Sequence, residues 1–106
     1  MLPKNHRLNL TKERFTKGDS QVSERYFKLL IKKGKAEGPR IGFIVSGKVG
    51  KAVVRNSVRR ALSKAVEERV DTLPVGLYLI FIAYPQAASA TWEELDNSVD
   101  KAFTKI

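Results

Sequence analysis

The 106-residue chain contains no cysteine and a single histidine, His6. Without cysteine, disulfides, thiolate zinc sites and cysteine nucleophiles are excluded. His6 has no Asp or Glu near it in sequence to orient its imidazole, so a general base is not expected there. The acids cluster only at 67–71 and 93–100, where helix ends and a capping box account for them. We therefore predict no catalytic residue and no metal ligand in this polypeptide.

Long apolar runs are also absent. No segment approaches the ~18 to 20 apolar residues of a membrane span, and the start, MLPKNHRLN, lacks the apolar core of a signal peptide. We expect a cytoplasmic protein with no membrane partner. The length is that of a single domain, residues 1–106, with one modest core.

Acidic residues are scarce relative to basic ones. Lys and Arg number 20 against 11 Asp and Glu, for a net charge of +9. The excess is concentrated: residues 1–64 carry a net +13, and the remainder carries −4. A polyanionic partner should therefore meet the first two thirds of the chain.

The basic segment 48–64, KVGKAVVRNSVRRALSK, has the pattern of an amphipathic helix. At 3.6 residues per turn, one side carries Val54, Val58, Ala61, Leu62, Ala65 and Val66. The other side carries Asn56, Arg59, Arg60, Ser63 and Lys64, with Arg55 at the border. No acid interrupts the segment, whereas solvated helix faces usually interleave signs, and arginine suits phosphate. The pattern predicts an RNA-binding helix; the alternative is an ordinary solvated surface.

Strand patterns flank this helix. Residues 11–18 suggest a short helix, residues 21–32 a strand with one buried face, and RIGFIVS at 40–46 a second strand. The turn signal at 34–39 predicts that these two strands form a hairpin or meander.

The last part of the chain predicts a core strand and a helix. LYLIFIA at 77–83 is apolar at both odd and even positions, as in a central strand that is covered on both faces. It should run parallel to 40–46, with the basic helix as the crossover connection. Thr91 and Glu94 form a capping box for a helix in which Trp92 and Phe103 serve the core. The predicted fold is α+β, a two-layer α-β sandwich of order α-β-β-(β)-α-β-α.

The string Lys51-Ala52-Val53-Val54-Arg55-Asn56, followed by Arg59-Arg60, resembles the RNR signature of the protein subunit of bacterial ribonuclease P. The resemblance extends over nearly the whole chain. His6-Arg7-Leu8, Arg25-Tyr26-Phe27, RIGFIVS, the apolar strand and the closing helix stand in the family's order.

This resemblance implies a non-catalytic subunit that joins a large catalytic RNA and helps it remove the 5′ leader of precursor tRNA. The RNA performs the hydrolysis with Mg²⁺ held by RNA and substrate, and no obligate protein partner is implied. It also implies a left-handed crossover around the RNR helix, where the general rule alone favours a right-handed one.

Site residues follow from the same resemblance. The RNR helix would contact the catalytic RNA through Lys48, Lys51, Arg55, Asn56, Arg59, Arg60 and Lys64. A cleft between the sheet and the N-terminal helix would hold the leader through Phe15, Tyr26, Phe27 and Lys28. Two departures, Ser57 and Ser63, leave the basic face thinner than is usual in the family, and Gly18 and Asp19 interrupt the aromatic N-terminal stretch.

Charge and size also allow two other classes. One is a structural RNA-binding protein of the ribosome. The other is a DNA-binding helix module. A helix enclosed between two parallel strands is poorly exposed for insertion into a DNA groove, which disfavours this class.

Overall fold

The computed structural model of the chain describes residues 20–33, 39–73 and 76–106. These residues form four strands and two helices, joined in part by 3-10 turns at Val70–Thr72 and Pro85–Ser89. The elements are β1 Ser20–Ser23, β2 Phe27–Lys33, β3 Arg40–Ile44, α1 Ala52–Glu67, β4 Leu77–Ala83 and α2 Trp92–Thr104. The helix predicted at 11–18 and most of the turn at 34–39 lie outside the described residues.

The four strands form one sheet in the order β1-β2-β4-β3. β1 pairs antiparallel with β2, β2 pairs antiparallel with β4, and β3 pairs parallel with β4. The parallel pairing of β3 and β4 confirms the prediction that α1, which lies between them in sequence, is a crossover connection. The hand of this crossover stays a prediction.

Two predictions about the first strands are wrong. The single strand expected at 21–32 is a hairpin of β1 and β2, closed by a turn in which the Glu24 amide donates to the Phe27 carbonyl at 2.8 Å. That turn contains no glycine, proline or asparagine, so composition did not mark it. The hairpin expected between this region and 40–46 does not form because β4 lies between β2 and β3. A strand whose side chains are apolar on both faces buries the most apolar area at the centre of a sheet.

Both helices cover the same face of the sheet. Phe81 of β4 lies at the centre of this core, and its ring centroid is 5.1 Å from that of Phe27, 5.4 Å from Phe43 and 6.2 Å from Phe103 of α2. Leu29, Leu79 and Ile41 are buried in the same cluster as the apolar side chains of α1 and α2. The two-layer α-β sandwich is thus confirmed.

The apolar stripe predicted for α1 is confirmed. Val58, Leu62, Ala65 and Val66 are buried, and two further members, Val54 and Ala61, are partly buried. Burial of such a stripe stabilises the helix far more than its intrinsic propensity does. Ser63, predicted on the charged side, is buried instead. It lies on a flank of the helix that the wheel alone does not distinguish from the exposed side.

The capping box of α2 is also confirmed. The Glu94 amide donates to Thr91 Oγ1 at 3.2 Å, and the Thr91 amide donates to Glu94 Oε1 at 2.9 Å. Trp92, expected in the core, is 37% exposed at the start of the helix. None of the described helices combines the length and the apolar character needed to cross a membrane.

An ion-pair network fastens the end of α1 to α2. The Arg69 guanidinium donates to both carboxylate oxygens of Asp96, at 2.7 and 3.1 Å, and to Asp100 at 3.3 Å. Its Nη1 also donates to the Ala65 carbonyl at 2.9 Å. The hydrogen bond from Arg69 holds the pKa of Asp96 below its ordinary value.

This lowered pKa makes a contribution to stability that depends on pH. Because the folded-state pKa of Asp96 lies below the unfolded one, the contribution is present above the ordinary Asp pKa of about 3.9 and is lost as pH falls through the lowered value. We expect Asp96→Asn to reduce the free energy of unfolding by up to about 1 kcal/mol at neutral pH and by much less near pH 2. Urea unfolding of both proteins at several pH values measures the difference.

Asp71→Asn is the matched control for this experiment, because Asp71 is an exposed carboxyl outside the network. It should change the unfolding free energy little at any pH. A deficit for Asp96→Asn that stays constant down to pH 2 would show that the asparagine perturbs packing instead of removing an ion pair.

Candidate nucleic-acid interface

The predicted RNA-contacting residues of α1 lie together on its outward side and one flank. Asn56, Arg60 and Lys64 are exposed, while Arg55 and Arg59 are half-buried on the flank. We call these five residues the basic helix face. Since the opposite side of α1 is buried against the sheet and α2, the helix is held with its cations outward.

Hydrogen bonding within this face orients two of its members. Arg59 Nη1 donates to Asn56 Oδ1 at 2.8 Å, which leaves the Asn56 amide nitrogen as a donor toward an anion. Arg55 Nε is buried and has no hydrogen-bond partner among the described residues. A buried donor without an acceptor is destabilising by about 1 to 3 kcal/mol, so a rotation of the Arg55 side chain that brought Nε to a bound phosphate would remove this cost.

The loop before α1 adds two lysines at the N-terminal end of the helix. Lys48 and Lys51 are both exposed, and Lys51 is the N-cap residue without a side-chain capping hydrogen bond. The first turn of α1 contains no acid. An added Cβ on Gly50 would lie 3.1 Å from the side chain of Val54, so this loop approaches the helix closely. The backbone amides at this end of α1 have no side-chain cap, and two lysines lie beside them, which favours the binding of an anion such as phosphate.

The sheet face opposite the helices forms a second cationic surface. Directly paired residues on neighbouring strands point to the same face, so the register shows which side chains share it. Lys32 of β2 pairs with Tyr78 of β4, and Tyr78 pairs with Arg40 of β3. Two positions along β2, Lys28 occupies the same face, opposite Ile82. We call Lys28, Lys32, Arg40 and Tyr78 the sheet platform.

The sheet platform combines an aromatic ring with three cations. All four side chains are half-buried, and Leu30, Ile80 and Gly42 form the apolar row between them. Surfaces that bind single-stranded nucleic acid use this combination, with bases stacked on an aromatic ring and the backbone near cations. Lys32, Arg40 and Tyr78 were missed in the sequence. The even spacing of Lys28 and Lys32 in the sequence indicates that they share one face of a strand. Only the pairing of the strands shows that Tyr78 lies between two cations.

The leader-binding residues predicted from the sequence are placed less favourably. Lys28 lies on the sheet platform. Phe27, which the sequence placed in the leader cleft but fitted better to the core, has its ring fully buried on the helix side against Phe81 and cannot stack on a base. Because successive side chains of a strand point to opposite faces, Phe27 and its neighbour Lys28 lie on opposite faces of the sheet. Phe15 lies outside the described residues.

Tyr26 is also wrong as a base-stacking residue. It is only 6% exposed, and its hydroxyl donates to Glu94 Oε2 of α2 at 2.6 Å. This hydrogen bond raises the pKa of Tyr26 and lowers the pKa of Glu94. Tyr26 comes before β2 begins, so the alternation of the strand does not apply to it. Its role is to join the β1-β2 hairpin to α2.

Within the part of the chain that the structure describes, no group of three or more His, Asp or Glu side chains is arranged to hold a metal ion. Three of the four carboxylates of α2 are engaged in other contacts. Asp96 and Asp100 bind Arg69, and Glu94 accepts from Tyr26 and Thr91. The basic helix face and the sheet platform carry cations, and cations are what anion binding requires.

A basic helix docked on a mixed four-stranded sheet, with a second cationic surface on the far side, defines a class of small α+β proteins built around two electropositive faces. The family model for Ribonuclease P matches residues 2–106 of this chain. The chain belongs to the ribonuclease P protein family.

Individual relatives agree with the family. The chain is 47% identical over 68 residues to the ribonuclease P protein component of Thermobifida fusca, covering 64% of this chain and 46% of that protein. It is 35% identical over 97 residues to that of Kocuria rhizophila, covering 90% and 86%. The chain thus spans about half the length of the first relative and most of the second.

A solved structure shows the same fold. The structure of Staphylococcus aureus RNase P protein superposes with a TM-score of 0.82 at 26% identity, covering 94% of each chain. The TM-score and the coverage show that the two chains share one fold over most of their length.

Proposed function

We propose that this chain is the protein component of a ribonuclease P holoenzyme, in which it binds the catalytic RNA and the 5′ leader of precursor tRNA. The observation that carries the proposal is the basic helix face, whose cations and amide are held outward by a helix packed on the sheet. Family membership supplies the biochemical context. The site of action would be the cytoplasm.

The basic helix face is assigned to the catalytic RNA. Folding and docking of two RNAs bring phosphates close together, and their repulsion is reduced when Lys and Arg side chains replace condensed counterions. Arg59 and Arg60 offer planar guanidinium groups that suit bidentate phosphate contacts. Lys48 and Lys51 extend the cationic surface past the N-terminal end of α1.

The sheet platform is assigned to the leader. A leader is single-stranded, so its bases are available to stack on an aromatic ring, and its phosphates require nearby cations. Tyr78 lies between Lys32 and Arg40 in the register, which supplies both groups within one row of the sheet. Phe15, predicted from the sequence for the same cleft, stays a prediction.

Hydrolysis is assigned to the RNA with Mg²⁺ held by RNA and substrate. In this proposal the basic helix face and the sheet platform bind and orient nucleic acid, and the protein is the non-catalytic subunit of the endoribonuclease.

A reconstitution experiment tests this assignment. At low Mg²⁺, we expect the protein to accelerate leader removal by its cognate ribonuclease P RNA, because its cations replace part of the ionic screening that folded RNA requires. The RNA-free protein should leave precursor tRNA intact. Cleavage at the mature 5′ end by protein shown to be free of RNA, or no acceleration of the RNA reaction, would contradict the proposal.

A further inference from the structure

An apolar groove lies between α1 and the start of α2, beside the basic helix face. Its volume is about 340 Å³, which is within the range of small-molecule sites. Val53 and Ser57 of α1 form one wall, while Ala88 and Trp92 belong to the other. We call it the Trp92 groove.

Exposed apolar side chains mark its rim. Val53 is 80% exposed and Trp92 is 37% exposed, although each belongs to a helix that buries other apolar residues well. Val53 in the first turn of α1 and Trp92 in the first turn of α2 face one cavity and form an exposed apolar patch.

Cations adjoin this patch. Lys64 Nζ lies 5.1 Å from the centroid of the Trp92 ring, in cation-π contact. At 3.6 residues per turn, Val53, Arg60 and Lys64 lie within about 40° of one another around α1. The α1 wall of the groove is therefore continuous with the basic helix face.

We propose that the Trp92 groove takes one unpaired nucleotide of the RNA that the basic helix face binds. Its base stacks on Trp92, and its phosphate lies beside Lys64. The inference rests on the proposed function and adds a stacking site to it. On stacking, the base replaces the ammonium of Lys64 over the ring, and that ammonium moves to the phosphate. Glu93, about 100° further round α2, disfavours a phosphate on its side and so orients the nucleotide toward α1.

Charge favours RNA over other occupants of this groove. A second copy of this chain, with its net charge of +9, would bring like charges together at a surface that already carries Arg60 and Lys64. An uncharged apolar peptide would fill the cavity but would make no use of the adjoining cations. A nucleotide matches the ring and the ammonium together.

The fluorescence of Trp92 tests the proposal directly, because the chain contains a single tryptophan. Titration of the protein with its cognate ribonuclease P RNA should quench this fluorescence and saturate at the same RNA concentration as binding followed by filter retention. Trp92→Phe should keep most of the affinity. Trp92→Ala and Trp92→Leu should both lose roughly 5- to 150-fold, since neither offers a ring for stacking.

Asn97→Ala, at an exposed position about one and a half turns further along α2, is the matched control and should bind RNA like the parent chain. Circular dichroism verifies that each variant is folded. RNA binding without quenching, or Trp92→Leu binding as well as the parent, would overturn the groove proposal while leaving the proposed function intact.

Two further outcomes are distinguishable. Absence of any binding to ribonuclease P RNA by the parent chain would overturn the proposed function and, with it, the inference. Quenching that depends on protein concentration without RNA, together with a dimer in sedimentation, would identify the groove as a contact between two copies and overturn the nucleotide proposal.

Discussion

Replacing Arg59 and Arg60 together by alanine should weaken the binding of ribonuclease P RNA roughly 30-fold at about 0.15 M salt. Each phosphate contact contributes about 0.9 to the slope of log K against log salt concentration. Two contacts therefore raise the binding constant roughly 30-fold between 1 M and about 0.15 M salt. When both contacts are lost, the magnitude of the slope should fall by up to about two. Arg59→Ala also removes the donor that orients Asn56.

Affinity measured at four or more salt concentrations gives both quantities. The matched control is Lys101→Ala with Lys105→Ala, which removes the same charge from the end of α2, away from the basic helix face. Lys105 also pairs with Glu24, whose side chain is only 8% exposed, so urea unfolding must first show that this control variant is as stable as the parent chain. An unchanged slope in the Arg59 and Arg60 variant, or an equal loss in the control, would mean that α1 is only a solvated cationic surface.

Replacing Tyr78 by alanine should weaken the binding of precursor tRNA to the holoenzyme by roughly 5- to 150-fold, which is the loss of one stacked base. Mature tRNA has no leader and should bind as before. Assembly of the variant with ribonuclease P RNA should also be unaffected, since Tyr78 lies on the face of the sheet opposite the helices.

Tyr78→Phe is the control that keeps the ring and removes the hydroxyl, and it should retain most of the affinity for precursor tRNA. Binding is measured for precursors with long and very short leaders, after circular dichroism shows that both variants fold. If Tyr78→Ala weakens precursor and mature tRNA equally, the ring serves a general binding surface or the fold, and the assignment of the leader to the sheet platform is wrong.

These two variants address opposite layers of the molecule. α1 lies on one side of the sheet and the sheet platform on the other, so one protein can contact two RNA segments without competition between them. In the proposed function, the protein would separate the catalytic RNA from the leader by the thickness of its two layers. Because the surfaces do not share side chains, the losses in the two variants should be nearly independent.

Several features of this protein were determined by the sequence alone. The apolar stripe of α1, the uninterrupted run of cations beside it and the capping box of α2 are local patterns, because residues three or four apart on a helix are neighbours in space. The bounds of β4 and its central place in the sheet follow from a short apolar run on both parities. The family was indicated by the ordered string around Arg55 and Asn56.

The tertiary structure decided which strand pairs with β2 and which side chains that pairing brings together. Placing β4 between β2 and β3 removed the predicted hairpin and brought Tyr78 between Lys32 and Arg40, residues far apart in the chain. It also buried Tyr26 against Glu94 and left Trp92 at the edge of a groove. These pairings and buried contacts form between segments that are distant in the chain. The residue types of one segment alone do not determine the register in which it pairs with another.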